Sequence, residues 1–469
     1  MAFFRLPVKK KEKKDTMQTQ ERSKMLGSMD MGKLVPKVAI PVMISMLVQA
    51  LYNVVDGIFV ARYSADALTA VSLAYPVQML MIAVSTGLGV GFNSLISRKL
   101  GEKRPEQARA AALNGMLTEL CGYAIFLVFG LFFSHSFFDL FTSVPHLRQL
   151  GGEYLSIVCI YSFGLFFSVC FERMMQATGN TTLSMATQLL GAVTNIILDP
   201  IMIFGLYGCP AMGVAGAAIA TVIGQIASMT LGLTLNQCKN RELRIHLKGF
   251  RPNREILKGI LAVGFPSIIM QSISSVMNVL MNLILLGFGA VAVSVLGVYF
   301  KLQSFVFMPV FGLSNALVAI IGYNYGARNR QRVYDSIKVA LKWAGVIMLL
   351  GTLAFLLIPQ TLLGLFESGE ASDLTNMGVV ALRIISLSFL MAAVGITIST
   401  CFQAIGKGFY SLLMSLCRQL IVLLPAAWLL SLTGNVDAVW WSFPIAEVIS
   451  LALCLSLYKH VDDTMLKTL

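Results

Sequence analysis

Charge is what this chain has least of. Only 13% of its 469 residues are charged, against about 25% in an ordinary soluble domain. Histidine is scarcer still. The four residues His135, His146, His246 and His460 sit in or near polar breaks and form no metal-ligand spacing. The eight cysteines are Cys121, Cys159, Cys170, Cys209, Cys238, Cys401, Cys417 and Cys454. They contain no CxxC pair and lie mostly inside apolar runs, so neither disulfides nor zinc is expected. A GxxxxGKS or GxxxxGKT phosphate loop is missing, which sets aside an ATP motor within the chain and leaves an ion gradient as the natural energy source. Also missing are segments of about ten residues with alternating polarity, the mark of an outer-membrane barrel. No cleavable signal peptide is evident. The first apolar run follows roughly thirty largely polar residues, so the first span is expected to serve as its own insertion signal.

What is present is apolar length. Hydrophobic residues make up 57% of the chain, and the mean hydropathy is +0.76. Runs of about 20 apolar residues cross a bilayer core of roughly 30 Å. Twelve such spans are expected, at 38–61, 70–96, 111–134, 154–177, 184–205, 213–235, 256–286, 291–322, 333–357, 377–404, 410–432 and 438–458. The fold class is therefore all-α integral membrane. The breaks are short, so most neighbours form antiparallel hairpins. The longest break divides the spans into six and six, giving a tail at 1–37, a first lobe at 38–235, a linker at 236–255, a second lobe at 256–458 and a tail at 459–469.

The two lobes are copies. Sliding residues 41–101 forward by 225 positions lays them on 266–326 without a gap. Pro41 meets Pro266, Asn53 meets Asn278, Gln78 meets Gln303, Gly87 meets Gly312 and Gly101 meets Gly326. Six is even, so the repeats are parallel and related by an axis along the membrane normal, as in many secondary transporters. Asp56 meets Met281. Where the copies differ is where chemistry is to be sought.

The net charge of +13 is distributed by loop. The N-terminal tail carries Arg5, Lys9, Lys10, Lys11, Lys13, Lys14, Arg22, Lys24, Lys33 and Lys37. The loop after the second span carries Arg98, Lys99, Lys103, Arg104 and Arg109. The linker carries Lys239, Arg241, Arg244, Lys248, Arg251, Arg254 and Lys258, and the loop after the eighth span carries Arg328, Arg330 and Arg332. The opposite loops hold almost none, and the one after the ninth span has Glu367, Glu370 and Asp373 instead. By the positive-inside rule both termini are cytoplasmic. The basic tail points to anionic lipid or topology rather than nucleic acid.

An ionisable side chain at mid-bilayer costs about 2.5–3.5 kcal/mol or more, so each one that remains needs a reason. The first half has Asp56, Glu119, Glu172, Arg173 and Asp199; the second has Lys301, Arg383, Arg418 and Glu447. Gln49, Asn53 and Asp56 share one face of the first helix by their spacing of four and three, and Asn195 and Asp199 share one face of the fifth. Both helices run outward and place their acids in the outer half of the membrane. Two carboxyls close together in low dielectric do not both ionise easily. Such a pocket can take up a proton, hold Na+ through carboxylate and carboxamide oxygens, or attract a cationic cargo; helix fastening is the plainer use. Pro200 follows Asp199, removes a backbone donor and offers a hinge or a static kink. Its counterpart, Pro425, follows Leu424 instead of an acid. Glu172 lies near the inner end of the fourth helix beside Arg173, where an interfacial pair is equally natural. Glu447 stands where the first lobe has Gln225, as a second ion site or as the counter-charge for Lys301, Arg383 or Arg418. The 25 methionines and 29 phenylalanines mostly fill spans. The small residues of Gly213–Ala220 let the sixth helix approach a neighbour closely.

These residues resemble the multidrug and toxic compound extrusion (MATE) family, in the bacterial branch with an acidic first lobe. The carriers of the resemblance are Leu51-Tyr-Asn-Val-Val-Asp56, Gln176-Ala-Thr-Gly-Asn180, Asn195-Ile-Ile-Leu-Asp-Pro-Ile-Met-Ile-Phe-Gly205 and Gly213-Val-Ala-Gly-Ala-Ala-Ile-Ala-Thr221. The resemblance implies a V-shaped pair of six-helix bundles in the cell membrane, exporting amphipathic, often cationic compounds in exchange for H+ or Na+. A monomer with no cofactor, no nucleic-acid partner and no enzymatic role is expected. The resemblance carries the coupling role to Asp56, Asn195 and Asp199, with Na+ as a candidate ligand there. Members often have Asn near the end of the fourth helix, then an Arg-Ala pair; here stand Glu172 and Gln176-Ala177, which suggests an additional titrating group. The seventh helix lacks the acid that some branches place there. Two other classes of function stay open: a lipid-linked oligosaccharide flippase holding pyrophosphate with Lys301, Arg383 and Arg418, and a membrane-embedded enzyme, for which no catalytic His or metal set is visible within a span.

Overall fold

The computed structural model describes residues 23–246, 250–366 and 373–469. Arg5, Lys9, Lys10, Lys11, Lys13, Lys14, Arg22, Lys248, Glu367 and Glu370 lie outside these residues, as does the side chain of Asn53. Among the described residues, 10 helices are long and apolar enough to cross a membrane, and two bent pairs raise the number of spans to 12. In the first half, α1 is Met31–Tyr63, α2 is Ala65–Gly101, α3 is Pro105–Phe132, α4 is Pro145–Ile160 with Phe163–Ala177, α5 is Thr181–Phe204 and α6 is Gly213–Lys239. In the second half, α7 is Arg254–Leu286, α8 is Ala290–Gly326, α9 is Arg330–Leu357 and α10 is Asp373–Ser386 with Phe389–Ala404. Helix α11 covers Gly408–Leu416 and Leu424–Ser431, with the π-helical turn Cys417–Leu423 between them. Helix α12 is Val436–Trp440 with Ser442–Val461.

The helices overrun the apolar windows that reveal them. Helices α2 and α8 have 37 residues each, about 55 Å at 1.5 Å per residue, against a hydrocarbon core of roughly 30 Å. Each is therefore longer than a crossing needs.

The bends were not legible as such, yet they fall within one residue of matched positions in the two halves. The segments of α4 meet at 42° and those of α10 at 48°. Each break holds a buried serine that turns its hydroxyl back on its own helix: Ser162 Oγ donates to Cys159 O at 2.8 Å, and Ser388 Oγ to Ile385 O at 2.6 Å. Such back-bonding competes with the helical ladder and favours a bend. The short helices that follow α3 and α9, Ser134–Phe141 and Pro359–Gly364, begin 225 positions apart.

The repeated glycines lie between the halves. A methyl group built on Gly87 of α2 would lie 2.8 Å from the backbone N of Ile268 in α7, and one on Gly312 of α8 would lie 2.6 Å from Cα of Met43 in α1. Met43 and Ile268 are themselves 225 apart, so the two contacts are copies. At the last residues of α2 and α8 the exchange recurs: Gly101 abuts the carbonyl of Tyr323, and Gly326 abuts the carbonyl of Arg98. A pseudo-two-fold interface thus needs glycine at matched positions because backbone meets backbone there. Hydrogen bonds add to it. Thr86 Oγ1 donates to Gln271 Oε1 at 2.8 Å, and Ser94 Oγ donates to Gln403 O at 2.7 Å. Among the described residues, no hydrogen bond joins 65–85 to 272–286.

Two helices change sides. Leu34, Val38 and Val42 of α1 are buried in one core with Leu317, Ile320 and Phe402 of the second half, whereas Val60 enters a first-half core with Phe166 and Ile203. Helix α7 does the reverse. Ile260 sits with Phe92, Ile96 and Met174 of the first half, whereas Met277, Met281 and Leu285 join the second. The packing units are therefore not the sequence blocks 38–235 and 256–458: each half's first helix begins in the other half's core.

Candidate functional site

Past its crossing, α1 enters the first half and carries Asp56 to α5. The Asp56 and Asp199 carboxyls lie within hydrogen-bonding reach of each other. Asp199 is fully buried at 0% exposure. Asn195, one turn before it, donates from Nδ2 to Asp199 Oδ1 at 3.2 Å and to Thr221 Oγ1 at 3.2 Å. Thr221 belongs to α6, and its approach is made by glycines. A methyl group on Gly224 would lie 2.7 Å from Gly191 O and 3.3 Å from Cβ of Asn195. The small-residue stretch acts nearby: a methyl group on Gly216 would lie 2.5 Å from the carbonyl O of Met202.

Two tyrosines stand near the acids. The Tyr52 hydroxyl meets Thr221, and Tyr154 faces both acids while accepting from Gln78 Nε2 at 2.8 Å. Three acceptor oxygens are left buried without a donor: Asp56 Oδ1, Asp199 Oδ2 and Asn195 Oδ1. Buried acceptors are nearly always satisfied, so three together in one place stand out. Two ionised carboxylates can only accept, so a hydrogen bond between Asp56 and Asp199 requires one proton.

The other expected site residues distribute as follows. Gln49 is on α1 but exposed. Helix α5 runs through Pro200 without interruption to Gly205, which ends it at φ 73°; the proline leaves the carbonyl of Ile196 without its helical donor. Glu172 is buried apart from the acid pair. It accepts from Gln188 Nε2 at 2.6 Å, and Gln188 precedes Asp199 by eleven residues, about 16 Å along the helix. Glu447 is in the second half, paired with Arg418 Nη1 at 3.2 Å. Lys301 stands over the Phe366 ring at 5.8 Å, and Arg383 is exposed on α10. The three basic residues thus have three different surroundings. Among the described residues, no group of three or more His, Cys, Asp and Glu side chains forms a metal cluster.

Thr221, Tyr52, Tyr154 and Gln78 were missed in the sequence. Tyr52 and Thr221 stand inside the quoted motifs, and Gln78 is a repeated position, but neutral polar residues carry little cost in a span and so little signal.

The chain matches the family model described as MatE at two stretches, residues 41–201 and 266–429, whose starts are again 225 apart. It is 26% identical over 432 residues to the multidrug export protein MepA of Staphylococcus aureus (strain MSSA476), covering 92% of this chain and 94% of that one. A MepA of Staphylococcus saprophyticus is 27% identical over 433 residues, with 90% and 93% covered. Among solved structures, an outward-facing multidrug resistance MATE family transporter of the MOP superfamily superposes with a TM-score of 0.89 at 28% identity, covering 95% of this chain and 98% of that one. A MOP superfamily transporter from Pyrococcus furiosus, whose binding pocket has reversed polarity, gives 0.88 at 28% identity, with 94% and 98% covered.

Proposed function

The chain belongs to the MatE family, and from that premise we propose that it is a multidrug exporter that moves amphipathic, often cationic organic compounds out of the cell in exchange for protons. It is a multi-pass membrane transporter and not an enzyme. The observation that carries proton exchange is the set of three donor-free buried oxygens at Asp56, Asp199 and Asn195, with the two carboxyls in reach of each other. A proton shared by the acids leaves the pocket with one negative charge; its loss leaves two, which favours binding of a cation. Na+ held by the same oxygens and Thr221 is the competing occupant.

The contacts between the halves support an alternating-access cycle. The glycine contacts and hydrogen bonds gather at the end where α2 and α8 finish, and the fold superposes on a transporter described as outward-facing. The basic residues at that same end support placing it, and both termini, on the cytoplasmic side of the cell membrane. Export of a pyrophosphate-linked sugar finds less support, because Lys301, Arg383 and Arg418 do not share surroundings.

The test is exchange in proteoliposomes with the full chain. Asp56→Asn and Asp199→Asn, each folded and reconstituted, are expected to lose ethidium transport driven by a pH gradient. Wild-type rates in both variants sink the reading. Transport driven by a sodium gradient alone replaces the proton with Na+.

A further inference from the structure

A second acid is buried in the first half, and the aspartate pair does not use it. Glu119 of α3 has 0% exposure, and neither of its carboxyl oxygens meets a hydrogen-bond donor. Ser85 of α2 faces it, with its own hydroxyl unpartnered. From α4 come Arg173 and Cys170; among the described residues α7, which also packs on α3, presents it no charged or titratable group. Arg173 is buried as well and lies between Glu119 and Glu172. Its Nη1 donates to Gln176 Oε1 at 3.0 Å, and Gln176 Nε2 donates to Ser184 Oγ at 3.0 Å.

Two carboxylates against one guanidinium leave a net buried negative charge, which is costly in the hydrocarbon interior. One proton removes it. Glu172 already receives Gln188 Nε2 at 2.6 Å and faces Thr187, whereas Glu119 faces the Ser85 hydroxyl with no hydrogen bond formed. The Ser85 hydroxyl can donate to one Glu119 oxygen, and a proton on the other oxygen removes the remaining buried charge.

The place of this acid gives it a reach. Ser85 and Gly89 lie one turn apart on the face of α2 turned to the cluster; a methyl group on Gly89 would lie 2.9 Å from Arg173 Cγ. The opposite face carries Gly87 against Ile268 and Gly91 against Gly264, where a methyl group on Gly91 would lie 2.9 Å from the backbone N of Gly264. Helix α2 is therefore a single wall between the buried charges and the seam of the two halves. We propose that Glu119, with Ser85 and Arg173, is a second proton-binding site of the first half, filled and emptied during transport, whose charge is felt through α2 at the seam with α7. This rests on the proton-exchange reading above.

Two measurements test it. In weakly buffered detergent solution, a pH-indicator dye reports protons released when ethidium binds to the full chain. Glu119→Gln is expected to bind ethidium within about twofold of wild type, to release fewer protons and to slow pH-driven transport by about tenfold or more. Glu119→Asp, which keeps an acid, is expected to recover proton release. Wild-type proton release and transport in Glu119→Gln overturn the second site; Asp56→Asn measured in parallel shows separately whether the aspartate pair is coupled. If Glu119→Gln does not fold, a hydrophobic carbodiimide on the wild-type chain decides. The reagent adds to undissociated carboxyl groups, so mass spectrometry is expected to find the adduct on the Glu119 peptide, less of it at alkaline pH. Label on Asp56 or Asp199 with none on Glu119 overturns the proposal.

Discussion

Gly312→Ala is expected to unseat the closed end of the molecule without touching any polar site. The added methyl would fall 2.6 Å from Cα of Met43, 2.8 Å from its N and 3.0 Å from the carbonyl carbon of Val42. All three are backbone atoms, so no side chain can swing away. Overpacking of this kind costs about 1–3 kcal/mol, and the cost applies only while the halves are joined here. The equilibrium should shift toward the state open at this end by roughly 5- to 150-fold. Gly87→Ala should act in the same direction but less strongly, because its nearest atom is Cγ1 of Ile268, a side chain that can rotate. Gly345→Ala is the control, since a methyl there meets nothing within 4 Å. Spin labels at Glu106 and Gln331, exposed residues at this end of opposite halves, report the separation by double electron–electron resonance. Longer distances in Gly312→Ala and unchanged ones in Gly345→Ala are expected. A Gly312→Ala distribution identical to wild type, or a lower melting temperature with no change in distance, would refute the reasoning.

Three further outcomes follow from named contacts. Arg418→Met should lower thermal stability by roughly 1–3 kcal/mol, less than for a fully buried pair, because the Arg418 side chain is 30% exposed; Arg418→Met with Glu447→Met should recover part of the loss, and a double variant no more stable than the single one would show the pair to be weakly coupled. Glu242, outside the spans, accepts from Ser23 Oγ at 2.7 Å, and burial pushes its carboxyl above the ordinary 4.5 against the opposing pull of Ser23, Arg109 and Lys24. An acid raised on folding stabilises below its unfolded value and loses that contribution as pH rises through the folded one, so Glu242→Gln should melt higher than wild type at neutral pH and equally below about pH 4.5; equal melting at both would refute the burial cost. Thr221→Ala removes one oxygen from the acid pocket and should weaken proton-driven transport less than Asp199→Asn does, as measured in the same liposomes.

The acid pair was legible because intramembrane carboxyls are costly enough to stand out individually. Asp56 and Asp199 could be set on two helix faces at like depth from spacing alone, and the structure brings them together. Thr221 and the tyrosines could not, because a neutral hydroxyl is cheap to bury and common. The 225-residue repeat was also legible, but the role of its glycines was not. Gly87 and Gly101 read only as matched positions of the repeat, and their partners prove to be Ile268 and the carbonyl of Tyr323 across the seam. A sequence repeat states which positions are equivalent and does not state whether equivalent positions face their own copy or the other. The bends in α4 and α10 each hold one serine hydroxyl, Ser162 or Ser388, inside an apolar run that otherwise reads as continuous.

The exchange of α1 and α7 sets an order of manufacture. Leu34, Val38 and Val42 are made first, yet their neighbours Leu317, Ile320 and Phe402 come nearly 300 residues later or more. Until α8 has been synthesised and inserted, the start of α1 has only lipid to lie against, while the end of α1 already has α5 beside Asp56. Helix α7 arrives in the opposite situation, with Phe92 and Ile96 waiting for Ile260. The newborn first half is thus an unfinished object with one loose end, and docking of α7 followed by closure of α8 over α1 is the step that completes both halves together.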